Sequence, residues 1–285
     1  MGAASPREAG TVRGVASTRP VGIPTRGTTH PNRLRRADRW VAATQAPRWR
    51  SLPAPLVVDL GFGASPITTV QLHDRLAPVC PGLRVLGLEI DPARVEAARS
   101  FTGPGLDFAV GGFEVPLPDP SERPVLIRAF NVLRQYEESA AGPAWDLLRS
   151  RLHERGVVID GTCDEVGRLA SWITLNPQGP RSLTISLRLA GLRAPGQVAE
   201  RLPKALIHRN VPGERTHGFL TALDREWARA APHAAFGRRQ RFVAAAAALR
   251  DAGWPLLDSA ARWRLGELTV AWEAVSPRPD DQPRE

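Results

Sequence analysis

Hydrophobic and polar positions between residues 56 and 160 follow two alternating patterns. Short apolar runs predict buried strands at 56–60, 83–90, 106–110, 125–130 and 156–160. Helix-compatible segments separate them, at 66–76, from Pro92 onward and at 143–153, and Asp91 is the predicted N-cap of the second. Alternation of strand and helix predicts an α/β fold, a doubly wound and mostly parallel sheet with helices on both faces.

The pattern changes after the fifth strand. Apolar runs at 169–175 and 183–189 flank Asn176–Pro180, which predicts a hairpin. Polar and helical sequence continues to residue 232, a helix is predicted at 238–252, and strands at 254–263 and 267–275 complete the pattern. We therefore predict one seven-stranded domain over 54–275, with an insertion after strand five that forms a cap at about 162–232.

The flanking regions differ from this domain. Residues 1–27 are rich in Gly, Pro, Ser, Thr and Arg without an apolar period, so they are predicted to be a disordered basic tail. Residues 28–53 are predicted to form a helical arm capped by Asn32. The last segment, 276–285, is predicted to be disordered.

Composition excludes several classes of protein. The chain has 42% hydrophobic residues but no apolar run of about 18 residues, so no membrane span is predicted. The N-terminus has no apolar segment of the kind found in secretory signals. Cys80 and Cys163, the only cysteines, lack metal-ligand spacing, so we expect neither a zinc site nor a disulfide framework. A cytoplasmic location is the resulting expectation.

The net charge of +9 is concentrated near the N-terminus. Residues 1–50 hold ten arginines against Glu8 and Asp38, whereas the remaining chain has 28 basic and 27 acidic residues. Two interpretations stay open: residues 1–50 are a solvated tail, or they contact RNA or another anionic partner.

The loop after the first strand carries the strongest chemical signal. Gly61 and Gly63 allow a sharp turn and a close approach of the backbone to a ligand, and the next helix directs its N–H groups towards it. Dinucleotide sites prefer a third glycine where Pro66 stands. The carboxylate of Asp59 would repel a pyrophosphate but attract the cationic amino and sulfonium groups of S-adenosylmethionine.

The segment Asp59-Leu60-Gly61-Phe62-Gly63 resembles motif I of the class I S-adenosylmethionine-dependent methyltransferases. The resemblance covers residues 54–161, with a C-terminal completion at 235–275. It implies a Rossmann-like fold and S-adenosylmethionine as the cofactor. No metal is expected, because no metal-ligand spacing stands out in the sequence. It also implies that Glu89, beside Ile90, binds the ribose hydroxyls, while the motif I residues Asp59, Gly61, Phe62 and Gly63 hold the methionine end.

The chain departs from the family pattern after the third strand. Gly112 stands where the family often has an acid that binds the adenine amino group. In one interpretation Gly112 and Phe113 line the adenine site, with Phe113 packed on the ring and Glu114 replacing the acid. In the other, Phe113 is a core residue and Glu114 is solvated.

Three residues are candidates for catalysis. Asn131 stands at the first position of the Asn/Asp-Pro-Pro-aromatic motif that amino-methylating members of the family often carry, but Val132 and Leu133 replace the prolines, which argues against methylation of an amino group. As a cofactor-binding candidate, Asn131 is still expected to lie near the methyl group of the cofactor at the strand end. Tyr136 faces either the substrate or solvent. His208, in the predicted cap, is a candidate general base because its reference pKa is near neutrality.

The sequence supports methyl transfer to an unidentified acceptor. A small molecule or another non-nucleic-acid acceptor is slightly favoured, because the chain beyond residue 50 is nearly neutral. The alternatives are an RNA methyltransferase that uses the basic arm, and a non-catalytic protein that binds the cofactor or S-adenosylhomocysteine. A nicotinamide-dependent oxidoreductase is disfavoured by Asp59 and Pro66.

Overall fold

The computed structural model describes residues 19–24 and 29–278. Residues 1–18 and 25–27 of the predicted N-terminal tail, residue 28 of the predicted arm and residues 279–285 of the predicted C-terminal tail lie outside the described residues. The described chain forms an eight-stranded sheet in the order β3-β2-β1-β4-β5-β6-β7-β8. The strands are β1 (Leu56–Leu60), β2 (Arg84–Glu89), β3 (Leu106–Val110), β4 (Leu126–Phe130), β5 (Val157–Cys163), β6 (Leu169–Asn176), β7 (Gly179–Leu187) and β8 (Glu267–Ala271).

Strand direction defines the edge of the sheet where ligands bind in such folds. Strands β1 to β5 run parallel, whereas β6, β7 and β8 are each antiparallel to the preceding neighbour. We call the edge at which β1 to β5 end the carboxyl edge. Since Cys163 pairs with Ala170 and Leu169 pairs with Leu187, the end of β7 also lies at this edge.

Helices cover both faces of the sheet. They are α1 (Arg35–Thr44), α2 (Ile67–Leu76), α3 (Pro92–Ala98), α4 (Ala141–Ser150), α5 (Lys204–Ile207), α6 (Arg215–Arg229), α7 (Arg238–Asp251) and α8 (Ala260–Trp263). Successive side chains of a strand point to opposite faces. Val57 thus joins a core with residues of α1, α2 and α3, whereas Val58 joins a core with residues of α4, α6 and α7. Burial on both faces explains why the strands read as continuous apolar runs.

The predicted parallel core is confirmed, with most strand ends within one or two residues of the prediction. Asp91 caps α3 as expected, accepting a hydrogen bond from the Ala93 N–H at 2.9 Å, and Pro92 is the first helical residue.

The C-terminal third differs from the prediction in two ways. The hairpin at 169–187 extends the main sheet, so of the predicted cap at about 162–232 only residues after β7 lie outside the sheet, and their longest helix, α6, packs into the core on one face of it. Of the predicted strand 254–263, only Leu256 forms an isolated bridge, with Val270. The sheet therefore has eight strands where seven were predicted.

The N-terminal arm contains the predicted helix but not the predicted cap. Asn32 has a φ of 62° and lies before the N-cap, Leu34. The Asn32 side chain instead accepts a hydrogen bond from Arg75 at 2.7 Å, which ties the arm to α2. No helix in the described ranges is long and apolar enough to cross a membrane.

Candidate functional site

The loop after β1 forms the tight turn that its glycines predict. Gly61 and Gly63 have φ values of 71° and 79°, which are accessible to glycine at little cost. The N–H of Gly61 donates to the Leu88 carbonyl at 2.7 Å, so the loop is fixed to the end of β2. The backbone of this loop lies at the carboxyl edge, where open α/β sheets bind ligands.

Glu89, the last residue of β2, is held beneath this loop. Its side chain is 1% exposed, and Oε2 accepts a hydrogen bond from the Gly63 N–H at 2.8 Å. Oε1 accepts from the Ile90 N–H at 2.9 Å, and the guanidinium of Arg94 lies 3.6 Å from Oε2. The Asp91 N–H also lies 3.4 Å from Oε1, so several donors hold this carboxylate at the strand end. The glycine loop, Glu89 and Ile90 thus lie together as predicted.

Asp59 has partners that the sequence did not indicate. Its carboxylate accepts two hydrogen bonds from Arg128 of β4, at 2.8 and 2.7 Å, and one from the Thr69 hydroxyl at 2.6 Å. Arg128 is fully buried, and it also donates to Asp38 of α1. The Asp59 carboxylate is therefore neutralised between the sheet and helices α1 and α2, and it is not available to attract a cationic ligand as we had expected.

Burial alone would disfavour the charged form of Arg128. The carboxylates of Asp59 and Asp38 outweigh that effect and raise the pKa of its guanidinium. The group is structural: it joins β1, β4 and α1 below the site.

The side chain of Phe62 was expected to contact a ligand, but it lies in the core. Its ring is 4% exposed and packs edge-on against Phe108 at a centroid distance of 5.4 Å. The side chain belongs to the core between the sheet and helices α1 to α3, so only the backbone of this residue is available to the site.

The segment after β3 forms a second wall. Phe113 is 6% exposed and packs edge-on against Tyr136, with 5.4 Å between the ring centroids. Both rings also border the cavity at the strand ends, so Phe113 is a core residue that lines the candidate site as well. Glu114 is not simply solvated: its Oε1 accepts from the Gly112 N–H at 2.9 Å. A Cβ atom at Gly112 would come within 2.1 Å of the Val21 carbonyl oxygen, which explains why this position has no side chain.

Residues 19–24, which we call the strap, lie across these strand ends. The Val21 N–H donates to Glu114 Oε2 at 2.8 Å, and the Val21 carbonyl accepts from the Phe113 N–H at 3.0 Å. The Ile23 N–H donates to the Tyr136 hydroxyl at 2.7 Å. The cavity between the strap and the strand ends has a volume of only about 10 Å³. This part of the predicted disordered tail is therefore bound to the candidate site.

Asn131 fixes the ends of β4 and β5 to each other. Its Oδ1 accepts from the Cys163 N–H at 3.1 Å, and its Nδ2 lies 3.4 Å from the Cys163 sulfur. The residue has a φ of 60°, a conformation that asparagine tolerates better than most side chains. Burial raises the pKa of the Cys163 thiol, so this sulfur is a neutral neighbour.

The remaining catalytic candidates are not brought together. Burial raises the pKa of Tyr136, whose hydroxyl is engaged by the strap. His208 is exposed at the end of α5, and no hydrogen bond links it to Asn131 or Tyr136 in the described ranges. No group of His, Cys, Asp and Glu suited to a metal ion occurs among the described residues.

Arg128 and the strap are two features of the site that the sequence did not predict. Arg128 interrupts an apolar strand, and a charged residue at such a position signals a buried partner; it lies directly opposite Asp59 in the strand register. The strap offered no comparable signal, because its contacts with Phe113 and Glu114 use its backbone.

Comparisons with known proteins give low and partial likeness. No family model matches the chain, and no curated protein matches it. Among solved structures, it is similar to LepI in complex with SAM (18% identity, TM-score 0.36, covering 42% of this chain and 30% of LepI). It is also similar to magnesium protoporphyrin IX methyltransferase from Synechocystis PCC 6803 with bound SAH (18%, TM-score 0.35, 46% and 54%). A TehB-like SAM-dependent methyltransferase from Corynebacterium glutamicum gives 24% identity and a TM-score of 0.31, covering 47% and 73%.

Proposed function

We propose that the protein binds S-adenosylmethionine at the ends of β1, β2 and β3 and transfers its methyl group to an acceptor at the end of β4. The observation that carries this proposal is the set of polar groups on three adjacent strand ends. The glycine turn brings its backbone to the end of β1, Glu89 offers a buried carboxylate for the ribose hydroxyls, and the segment Gly112–Glu114 offers a donor and an acceptor side by side.

The third of these groups matches the edge of adenine. Adenine presents an acceptor, N1, next to a donor, its amino group. The Phe113 N–H and the Glu114 carboxylate form the complementary pair, and the strap presently satisfies both with the carbonyl and the N–H of Val21. The strap residue thus occupies the hydrogen-bonding groups that we assign to adenine, and it competes with the cofactor for them.

The chain contributes mainly binding and positioning to the reaction. When bound, S-adenosylmethionine supplies a methyl group on a sulfonium, so the lone pair of the acceptor forms the new bond while the sulfur–carbon bond breaks and sulfur keeps the electron pair. Asn131, fixed between β4 and β5, defines where the acceptor meets this edge. Positioning of this kind supplies much of the acceleration, since the donor is already activated.

Replacing Glu89 with alanine is expected to weaken binding of S-adenosylhomocysteine by at least about tenfold, because hydrogen bonds to a charged acceptor are lost. Isothermal titration calorimetry measures the change. Glu96→Ala in α3 is the matched control, since this carboxylate is exposed and pairs with the nearby Arg99 on the surface. Absence of binding by the folded wild-type protein, to either S-adenosylmethionine or S-adenosylhomocysteine, contradicts the proposed function.

Val21→Pro tests the competition between strap and cofactor. The substitution removes the N–H that binds Glu114, so S-adenosylhomocysteine is expected to bind about fivefold more tightly, the equivalent of one hydrogen bond. Val21→Ala retains the backbone N–H and is expected to bind like the wild type. Weaker binding by the proline variant would show instead that the strap forms part of the cofactor pocket.

A further inference from the structure

A groove of about 690 Å³ at the carboxyl edge, beyond the candidate cofactor site, is lined by arginines. Seven arginines contribute, and Glu267 is the single acidic lining residue. We call this feature the arginine groove. Its arginines come from parts of the chain that are far apart in sequence: Arg35, Arg36 and Arg39 of α1, Arg188 after β7, Arg264 before β8 and the first two residues of α7.

The positive charge of the arginine groove is not neutralised within the described protein. Glu267 is buried and already paired with Arg262. Arg36 donates to the Leu265 carbonyl at 3.0 Å and to the Ser186 hydroxyl at 3.3 Å, both uncharged groups. Among the described residues, none of the groove arginines forms an ion pair with a carboxylate. Burial and the neighbouring guanidinium groups lower the pKa of Arg36 despite an opposing effect of Glu267. A bound anion would relieve this repulsion.

The arginine groove also presents exposed apolar surface. The ring of Phe236 is 77% exposed, and the side chain of Leu265 is 49% exposed. Both lie among the arginines instead of packing into the core. Arginines that can contact phosphates, together with an open aromatic ring on which a base can stack, are the combination that binds single-stranded nucleic acid.

The position of the arginine groove connects it to the proposed methyl-transfer site. A second cavity, of about 470 Å³, shares Arg188 and Ala190 with the groove and extends to Asp164, the residue after β5. Arg33, just before α1, donates to the Asp164 carbonyl at 3.0 Å. The groove and this cavity together reach Asp164, the neighbour in sequence of Cys163, which contacts Asn131.

We propose that the arginine groove binds the phosphates and a base of a single-stranded nucleic acid, which presents the methyl acceptor at the end of β4. The part of this inference that concerns methyl transfer rests on the proposed function, whereas the binding of nucleic acid does not. It also replaces a small molecule by a nucleic acid as the favoured acceptor class.

The test measures binding of a fluorescein-labelled single-stranded RNA of about 20 nucleotides by fluorescence anisotropy at about 50 to 300 mM KCl. Wild-type protein is compared with a groove variant, Arg39→Ala/Arg188→Ala/Arg239→Ala. The matched control is Arg123→Ala/Arg155→Ala/Arg181→Ala, which removes the same charge from exposed positions at the opposite edge. Calorimetry with S-adenosylhomocysteine on each protein reports the cofactor site separately.

We expect the groove variant to bind RNA at least about tenfold more weakly, with a slope of log K against log salt that is less steep by about 2, since each phosphate contact contributes about 0.7. Phe236→Ala is expected to weaken binding about tenfold through lost stacking. The control variant should bind RNA like the wild type, and all variants should bind S-adenosylhomocysteine equally.

Three results overturn the inference: no RNA binding at low salt by protein that binds S-adenosylhomocysteine, equal loss in the groove and control variants, or binding to phosphatidylserine vesicles in place of RNA. RNA binding that depends on the arginine groove, in a protein that binds no S-adenosylhomocysteine, supports the groove assignment and contradicts the proposed function instead.

Discussion

Replacing Arg128 with methionine is expected to lower the free energy of unfolding by about 3–5 kcal/mol, because it leaves buried carboxylates without their charged partner. Arg128 is fully buried and donates to both oxygens of Asp59, to Asp38 and to the Thr68 carbonyl. In the variant, the Thr69 hydroxyl would be the one side-chain donor left to Asp59 among the described residues, whereas Asp38 would retain Arg75 at 2.7 Å. Urea denaturation followed by circular dichroism measures the loss.

Two further variants serve as comparisons for Arg128→Met. Arg123→Met changes an exposed arginine at the opposite edge of the sheet and is expected to shift stability by less than about 0.5 kcal/mol. Adding Asp59→Leu to Arg128→Met removes one unpaired charge, so part of the lost stability should return. An Arg128→Met protein with the wild-type urea midpoint and slope would show that the buried ion pairs do not stabilise the fold.

Asp160 is expected to make the protein less stable as the pH rises from about 4 to 7. Burial within β5 raises the pKa of Asp160 to about 7, although a hydrogen bond from Trp145 at 3.0 Å favours the ionised form. In the unfolded chain the group ionises near pH 4, so over this interval the folded state binds the extra proton and stability falls with pH. Ionisation of Asp160 is expected to lower the free energy of unfolding by about 4 kcal/mol in total. This loss is complete above about pH 7 and absent below about pH 4.

Asp160→Asn isolates this effect. The variant cannot ionise, so the difference in unfolding free energy between variant and wild type is expected to increase in favour of the variant from pH 4 to 7, whatever its value at pH 4. Asp146→Asn is the control, because this carboxylate is 72% exposed in the salt bridge with Arg149. Parallel pH profiles for wild type and Asp160→Asn would contradict a raised pKa for this group.

The sequence by itself determined the parallel core and the position of the candidate site. Apolar runs of strand length alternate with helical segments, and a strand buried on both faces leaves this pattern whatever its neighbours are. The turn at Gly61 and Gly63 was predictable because positive φ angles favour glycine at those positions. Likewise, Asp91 and Pro92 define the start of α3 through local hydrogen bonding. Glu89 was placed at this edge because it ends a strand.

Pairings between distant residues were decided only in the tertiary structure. Asp59 meets Arg128 because β1 and β4 are neighbours in a particular register, which no local pattern encodes. The hairpin at 169–187 was predicted as a hairpin, but its membership of the main sheet depends on backbone pairing with β5. The strap binds the site through backbone groups, which every residue type carries. Its binding therefore could not be predicted from a segment whose composition indicates disorder.

The net charge follows from the sequence, whereas the clustering of the charged side chains depends on the tertiary structure. The sequence determined that the chain is nearly neutral beyond residue 50, an average that slightly favoured a small-molecule or other non-nucleic-acid acceptor. Folding places Arg188, Arg264 and the first residues of α7 beside the arginines of α1, while the acidic side chains lie elsewhere or are already paired. Electrostatic attraction depends on the distance between charges and not on their sum, so the arginine groove could be recognised as a basic surface only once the chain was folded.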